Sequence, residues 1–389
     1  MLLEAGLRKD DENKAARRWS ASTPSLSYEQ WLKRLGVGLF SIWVVFALFY
    51  VSHSNSTRPP LRAADAQQAA DGDGDRQRTI ESAFPEETNF LVIGDYGTGS
   101  ADQVATAEAM KHFAASLEPR PAFVLSTGDQ IYEHGITSAS DPLLKERFEQ
   151  MYDHPDLNVP WYITIGNHDC EGSIDAMLQY AAQKDAKWFF PRRYYTLDRP
   201  VAPRTILRLV VLDACDLVCG HEPRNVRCNA AMNAQTSAAS RLEQYRWADA
   251  VLGAGRPAGV ERMWTVVVGH WGVYSFAGNA HTPELIASLD PLLAKHKVHA
   301  YFSGHDHCLQ HVTIASGAGR PPRHYFVSGA GGYRVHTLAP KARESPDLVH
   351  AAMTHGFMWV KVTRTRFQVQ FVDKAGEVLY TAEVQYENQ

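Results

Sequence analysis

Five apolar stretches of this 389-residue sequence end in the same way, with a glycine followed by side chains that can bind metal ions. The stretches are NFLVI, AFVLST, PWYITI, MWTVVV and VHAYFS. The side chains that follow are carboxylates, a phenol, an amide and imidazoles: Asp95, Asp129, Tyr132, Asn167, His168, His270, His305 and His307. Each motif alone is typical of an ordinary turn. Five of them in series, each after an apolar run, predict a single shared site.

The elements that must position these side chains follow a layered pattern from residue 87 onward. Short apolar runs alternate with helical patterns there, which predicts an α/β domain, and the C-terminal alternation predicts antiparallel strands. In layered α/β folds the loops beyond the carboxyl ends of strands converge on one crevice. His305 and His307 alternate along an extended segment, so their imidazoles are expected to point the same way. Residues far apart in sequence are therefore expected to meet.

The predicted donor set indicates a particular kind of metal site. Carboxylate, amide oxygen and imidazole suit borderline divalent ions and iron, and the motifs contain no thiolate ligand of an iron–sulfur or structural zinc site. Six or seven protein ligands exceed what one ion needs, so two ions sharing a bridging carboxylate are expected. Such a pair binds both the attacking and the leaving oxygen of an in-line displacement, which favours phosphate ester hydrolysis.

The ordered motifs carry a family resemblance. Asp-x-Gly, Gly-Asp-x-x-Tyr, Gly-Asn-His-Asp, Val-x-x-His and Gly-His-x-His resemble the calcineurin-like metallophosphoesterase superfamily, and the position of Tyr132 resembles purple acid phosphatases. VPWYITIGNHD, FFPRRYYTL, GHDHCLQ, YFVSGAGG and HGFMWV resemble the small tartrate-resistant (type 5) acid phosphatases. The resemblance extends from Glu87 to the C-terminus. It implies a four-layer αββα metallophosphoesterase sandwich.

The resemblance also implies the ligands and the reaction. An iron(III) ion would bind Asp95, Asp129, Tyr132 and His307. Asp129 would bridge to a divalent iron, zinc or manganese ion that also binds Asn167, His270 and His305. Tyrosinate-to-iron charge transfer gives this family its purple colour. A hydroxide bound to the two ions would hydrolyse phosphate monoesters, and His168 would bind the substrate phosphate and help protonate the leaving group.

One position departs from the family pattern. The family places a second active-site histidine nine residues after the position of His270, and this chain has Asn279 there. His281, two residues further on, is a candidate to move into the same space and act in catalysis. Asn279 itself is a candidate substrate-binding residue.

The N-terminal part of the chain is predicted to anchor the catalytic domain to a membrane. Leu35 to Val51 carries no charge, and as a helix it would be roughly 26 Å long, enough for a thin bilayer core. A late-starting signal peptide is the alternative. More basic residues precede the span than follow it closely, which predicts a type II orientation. The predicted parts are a cytosolic tail (1–34), a transmembrane anchor (35–51), a flexible stalk (52–86) and a catalytic domain (87–389).

Composition and charge limit the partners. The sequence is 45% hydrophobic and its formal net charge is −4, so it fits a folded domain and gives no electrostatic reason to expect nucleic acid. The expected substrates are phosphate monoesters or phosphoproteins. The catalytic domain is expected outside the cell or in the lumen of an endomembrane or lysosome-like compartment. The oligomeric state is not predicted.

The five cysteines are too few for a disulfide framework in a chain of this length. Cys219 and Cys228 are candidates to bridge a short polar loop. Cys170 and Cys308 each follow a metal motif and are expected to approach one another. Cys215 adjoins an apolar run, which favours a buried free thiol.

Two other functions remain open at this level. One is a colourless dizinc or dimanganese phosphodiesterase or nucleotidase of the wider superfamily. The other is an ectodomain that keeps the fold as a non-catalytic binding module.

Overall fold

A computed structural model describes residues 86–183, 187–221, 223–317 and 319–387. The predicted tail, anchor and nearly all of the predicted stalk lie outside the described residues. Within the described ranges, no helix is both long enough and apolar enough to span a bilayer.

Two seven-stranded sheets form the centre of the fold. The first has the order β14-β13-β12-β1-β2-β3-β4 and the second the order β11-β9-β10-β8-β7-β6-β5. The strands of the first sheet are β1 (Glu87–Ile93), β2 (Val124–Ser126), β3 (Trp161–Ile163), β4 (Trp188–Phe189), β12 (Gly356–Thr363), β13 (Phe367–Asp373) and β14 (Val378–Val384). Those of the second are β5 (Tyr195–Ala202), β6 (Thr205–Val211), β7 (Arg262–Val268), β8 (Ala300–Ser303), β9 (Leu309–Ile314), β10 (Arg323–Ser328) and β11 (Leu348–Ala352).

The helices lie mainly between consecutive strands. They are α1 (Ala101–Ser116), α2 (Pro142–Leu144), α3 (Asn167–Glu171), α4 (Ile174–Gln183), α5 (Ala214–Cys219), α6 (Ala230–Ala234), α7 (Ala238–Gly253), α8 (Pro283–Ser288) and α9 (Asp290–Lys295). A π-helical segment (Lys145–Glu149) follows α2, and short 3₁₀ turns occur at Pro155–Leu157 and Ala342–Glu344.

Both sheets are mixed, which confirms the predicted α/β class. β1 to β4 are parallel neighbours, as are β6, β7, β8 and β10. The antiparallel pairing of β12, β13 and β14 confirms the strands predicted near the C-terminus. The sheets contact each other through β1, β5, β9, β10 and β12. The Trp264 indole on β7 donates a 3.0 Å hydrogen bond to the carbonyl of Thr363 on β12, which joins the two sheets.

Strand burial explains the continuous apolar runs in the sequence. β1 is buried from its second residue to its last, and β2, β3 and β8 are buried throughout. Parallel strands covered on both faces need apolar side chains at every position rather than at alternate positions. The side chains predicted to bind metal come after the carboxyl ends of such strands.

A pair of buried histidines lies within the second sheet. His311 on β9 and His324 on β10 are joined by a 2.9 Å hydrogen bond between their imidazoles, and the other nitrogen of His311 pairs with the Tyr380 hydroxyl at 2.9 Å. Burial, together with the charge of His324, lowers the pKa of His311 to about 3. Burial lowers the pKa of His324 to about 4. Both imidazoles are thus neutral in the folded protein at mildly acidic pH.

This pair predicts a loss of stability in acid. Below pH 6.5 the unfolded chain binds protons at these histidines while the folded chain does not, so the free energy of unfolding falls as the pH drops toward 4. The slope is up to about 1.4 kcal/mol per pH unit for each histidine. Urea denaturation between pH 7 and pH 4.5 measures it, and His324→Leu should flatten the slope. An unchanged slope in His324→Leu would contradict this account.

Candidate metal centre

Every predicted ligand lies just beyond the carboxyl end of a parallel strand. Asp95 follows β1, Asn167 is the first residue of α3 after β3, and His270 follows β7. Asp129 and Tyr132 follow β2, whereas His305 and His307 follow β8. These strands belong to both sheets, so the site forms where the corresponding ends of the two sheets meet.

The main chain is sharply turned at three of these ligands. Asp95, Asp129 and His305 have φ values of +59°, +54° and +66°. Residues with side chains seldom adopt this left-handed region, and where they do the strain is commonly associated with a functional site. Gly128, with φ of +107°, permits a close approach, because a Cβ there would lie 2.5 Å from Nδ1 of His270.

One group of donor atoms surrounds the carboxylate of Asp95. The Tyr132 hydroxyl lies 3.3 Å from Oδ1 of Asp95 and 3.0 Å from Oδ2 of Asp129. Nε2 of His307 lies 3.4 Å from Oδ1 of Asp95. Two carboxylates, a phenol and an imidazole therefore converge.

A second group surrounds the side-chain oxygen of Asn167. That oxygen lies 3.0 Å from Nε2 of His270 and 2.8 Å from Nδ1 of His305. Nε2 of His270 is also 3.4 Å from Oδ2 of Asp129. The same Asp129 oxygen thus faces both groups, as a bridging ligand would.

Hydrogen bonds to the main chain orient two of the imidazoles. Nδ1–H of His270 donates to the carbonyl of Thr127 at 2.8 Å, and Nδ1–H of His307 donates to the carbonyl of Arg334 at 2.9 Å. With the proton on Nδ1, each ring presents the lone pair of Nε2 to the cluster.

The electrostatics of the site favour bound cations. Although burial acts to raise the pKa of Asp129, the charge of His270 and its hydrogen bond hold that pKa below its usual range. Burial and the two carboxylates raise the pKa of Tyr132 well above its ordinary value, so its phenolate needs nearby positive charge. The carboxylates of Asp95 and Asp129 together with His270 form a group of donors within 4.8 Å of one another. The donor set fits a binuclear metal centre.

His168 lies at the rim of this cluster. Its Nδ1–H donates to the carbonyl of Glu133, and its Nε2 lies 4.0 Å from Oδ2 of Asp129. Its backbone N–H donates to the other oxygen of Asp129 at 2.9 Å. The side chain is 22% exposed, so Nε2 is near the ligands and remains accessible to solvent.

Asn279 and His281 occupy different surroundings. Asn279 Nδ2 donates to the carbonyl of His305 at 2.7 Å, and its N–H donates to Asp306, so it buttresses the His305 loop. Nδ1 of His281 accepts the N–H of Ser275 at 3.1 Å. The His281 ring packs on Tyr274 and Phe276. These contacts hold the His281 ring in this structure, and its catalytic role stays a prediction.

Asp169 is a residue whose role sequence reasoning missed. Its buried carboxylate accepts backbone N–H groups from Asp129 at 2.8 Å, Gly166 at 2.9 Å and Gln130 at 3.1 Å. It thereby fixes the β2 loop against the start of α3. The only sequence signal is its place in the Gly-Asn-His-Asp motif, which does not reveal that the carboxylate turns toward main-chain donors.

Two disulfides correct part of the cysteine prediction. Cys219 pairs with Cys228, as the spacing suggested. Cys170 pairs with Cys215, so Cys215 is not a free thiol and Cys170 does not pair with Cys308. The buried thiol of Cys308 instead contacts its own loop, accepting a 3.0 Å hydrogen bond from Nε2 of Gln310. The Cys170 bridge ties α3 to α5 and suits an oxidising, secreted or lumenal environment.

Comparison with known proteins identifies relatives of this fold and site. The sequence model of the calcineurin-like phosphoesterase family matches residues 71–309. Purple acid phosphatase 4 of Arabidopsis thaliana is 28% identical and aligns with 89% of this chain and 94% of its own length. Tartrate-resistant acid phosphatase type 5 of Sus scrofa is 31% identical over 75% of this chain and 85% of its own length.

A solved structure shares the overall fold. GAP50, the anchor in the inner membrane complex of Plasmodium, superimposes with a TM-score of 0.65 at 20% identity, covering 78% of this chain and 90% of its own. At this identity the likeness concerns the fold alone.

The role of Asp169 can be tested with Asp169→Asn. In this variant the side-chain NH₂ group faces at least one of the three backbone N–H groups that donate to Asp169 in the parent protein. That buried N–H then has no acceptor. The free energy of unfolding should fall by about 1–3 kcal/mol, and bound metal should decrease. Urea denaturation and elemental analysis measure the two effects, with the exposed Asp175→Asn as the matched control. Unchanged stability and metal content in Asp169→Asn would refute the positioning role.

Proposed function

The chain belongs to the calcineurin-like phosphoesterase family, and we propose that it is a membrane-anchored purple acid phosphatase that hydrolyses phosphate monoesters. One observation carries the proposal: Oδ2 of Asp129 lies 3.0 Å from the Tyr132 hydroxyl and 3.4 Å from Nε2 of His270. A single buried carboxylate therefore joins a group of donors that contains a phenol to a group that contains an amide. The relatedness to tartrate-resistant acid phosphatase type 5 supports the same activity.

The ligands divide between two cations in this proposal. Asp95, Asp129, Tyr132 and His307 would hold iron(III), and Asp129, Asn167, His270 and His305 would hold a divalent iron, zinc or manganese ion. Carboxylate and phenolate oxygens suit the more highly charged ion, and imidazole and amide suit the divalent one. When bound, the two ions supply an acidified water molecule and neutralise charge on the phosphate.

His168 acts on the substrate from the rim. Because Nδ1–H donates to the carbonyl of Glu133, the ring is fixed in orientation with Nε2 directed toward the ligand cluster. Nε2, when protonated, donates to a phosphate oxygen and passes its proton to the leaving oxygen. Asn279 supports the His305 loop, and in this proposal it also contacts the substrate.

The location of the enzyme follows from two features of the chain. Residues 35–51 serve as a type II anchor and residues 52–86 as a stalk, which puts the catalytic domain outside the cell or in a lumen. The disulfides Cys170–Cys215 and Cys219–Cys228 fit that environment. Small phosphate monoesters or phosphoproteins are the substrates.

Two alternatives are separable from this proposal. A dizinc or dimanganese phosphodiesterase or nucleotidase would use the same ligands without colour. A binding ectodomain would have the same fold without hydrolysing a substrate. GAP50, which shares the fold, is described as an anchor. The complete set of converging donors supports catalysis, since a binding module needs none of them.

The first test is a visible spectrum of the purified ectodomain. The parent protein should show an absorption band from Tyr132-to-iron charge transfer that Tyr132→Phe abolishes while hydrolysis of p-nitrophenyl phosphate largely survives. Tyr194→Phe, which alters a tyrosine that packs on Trp247, is the control. A colourless active protein that prefers bis(p-nitrophenyl) phosphate would favour the phosphodiesterase, and a metal-free inactive protein would favour the binding module.

The assignment of ligands to ions has its own test. Asp129→Ala should remove both metals because the bridging carboxylate contributes to each of them. Asn167→Ala should empty mainly the divalent position and keep the purple band. Elemental analysis beside the spectrum measures both variants, with the exposed Asn158→Ala as control. Full metal content in Asp129→Ala, or loss of colour in Asn167→Ala, contradicts the assignment.

A further inference from the structure

A tyrosine outside the proposed ligand set covers the Tyr132 ring. The ring of Tyr333 stacks on that of Tyr132 with centroids 4.2 Å apart and planes inclined by 18°. It also meets the His307 ring at 5.0 Å in an edge-to-face contact. Tyr333 thus contacts two proposed ligands of the same cation, and Tyr132 is only 2% exposed beneath it.

The main chain holds Tyr333 close to the metal centre. The N–H of Tyr333 donates to the carbonyl of Asp95 at 3.1 Å, and the N–H of Gly331 donates to the carbonyl of Gly94 at 3.0 Å. A Cβ on Gly331 would lie 2.5 Å from that Gly94 carbonyl, so a glycine is needed for this approach. On its other side, Nε2–H of His355 donates to the carbonyl of Tyr333 at 2.9 Å.

A carboxylate next to Tyr132 holds the Tyr333 hydroxyl. That hydroxyl lies 3.1 Å and 3.0 Å from the two carboxylate oxygens of Glu133, the residue that follows Tyr132. Burial and this hydrogen bond raise the pKa of Tyr333, so the hydroxyl remains a donor. The two tyrosines are therefore linked twice, through their stacked rings and through Glu133.

This arrangement restricts both the orientation and the hydration of Tyr132. Rotation of the Tyr132 side chain about its Cα–Cβ bond would move its hydroxyl away from the carboxylates of Asp95 and Asp129, and the stacked Tyr333 ring restricts that rotation. The same ring excludes water from one face of Tyr132. Water that reached the phenolate oxygen would donate a hydrogen bond to it and stabilise its electrons.

We infer that Tyr333, held by Glu133, is a positioning residue for Tyr132 that fixes the phenol oxygen toward the metal centre and shields it from water. The inference rests on the proposed function, because it concerns Tyr132 as a ligand of iron. Tyr333 would influence the energy of the charge-transfer band and the retention of iron. It would act through Tyr132 and not through contact with the substrate.

Tyr333→Ala in the purified ectodomain tests the inference. Water admitted to Tyr132 lowers the energy of the donor electrons, so the visible band should move to shorter wavelength. Iron should be lost to a chelator severalfold faster than from the parent protein. Tyr333→Phe keeps the ring but loses the bond to Glu133, so its band should move less than that of Tyr333→Ala. Tyr333→Val, whose side chain is too small to cover the Tyr132 ring, replaces the alanine variant if that one does not fold, and the same shift is expected.

Tyr380→Ala is the matched control. Tyr380 also stacks on an aromatic neighbour, the His350 ring, at 4.3 Å, but it lies on β14 away from the ligands. Its loss should leave the band unmoved. If the parent protein is purple and the folded variant, Tyr333→Ala or Tyr333→Val, has the parent's band position and iron retention, the inference alone is overturned. A colourless parent loaded with other metals overturns the proposed iron site and the inference with it.

Discussion

Two buried carboxylates facing one another impose the main constraint on this structure. Asp95 is 0% exposed and Asp129 is 1% exposed, and the Tyr132 hydroxyl lies within hydrogen-bond distance of both. Negative charge in a protein interior is costly unless it is compensated. The negative charge of Asp129 outweighs the effect of burial and raises the pKa of His270 to about 9 when no cation is bound. In the proposed centre, bound cations would supply the positive charge instead, and His270 would be a neutral ligand.

The main chain fixes these charges in place. The carboxylate of Asp169 gathers three backbone N–H groups, and the carbonyls of Thr127 and Arg334 orient two imidazoles. A covalent bridge from Cys170 to Cys215 adds a tie between α3 and α5. Groups held by packed strands and main-chain hydrogen bonds keep their positions better than groups on long loops. The ligand geometry is therefore a property of the two sheets and their turns.

The rim of the site differs in character from its floor. The floor consists of buried or half-buried donors of the type that the family resemblance implies, whereas the rim contains half-buried or exposed residues: His168, Tyr333, Glu133 and Asn279. Asn279 stands where the family has a histidine, and it contacts the main chain of a ligand loop rather than a side chain. The site therefore combines a group of converging donor side chains with a more exposed surrounding rim.

Much of the site could be predicted from the sequence because each proposed ligand occurs in a recognisable local pattern. A glycine after an apolar run predicts a strand end, and Asp95, Asn167 and His305 each occur in such a turn. The α/β class and the C-terminal antiparallel strands follow from the same periodicity. The pairing of Cys170 with Cys215 was misjudged, since proximity in space depends on how α3 and α5 pack and not on the adjacency of cysteines to motifs. The position of the His281 ring could not be predicted either, because it depends on contacts with Ser275 and Tyr274.

The sequence by itself determined which side chains are available to bind metal and at which turns they occur, because strand ends and glycine turns are local properties of the chain. Tertiary structure alone decided that one oxygen of Asp129 faces both donor groups, that Asp169 turns toward amides and that Tyr333 covers Tyr132. These outcomes depend on contacts between segments of both sheets, separated by up to about two hundred residues, and such contacts exist only once the sheets have packed together.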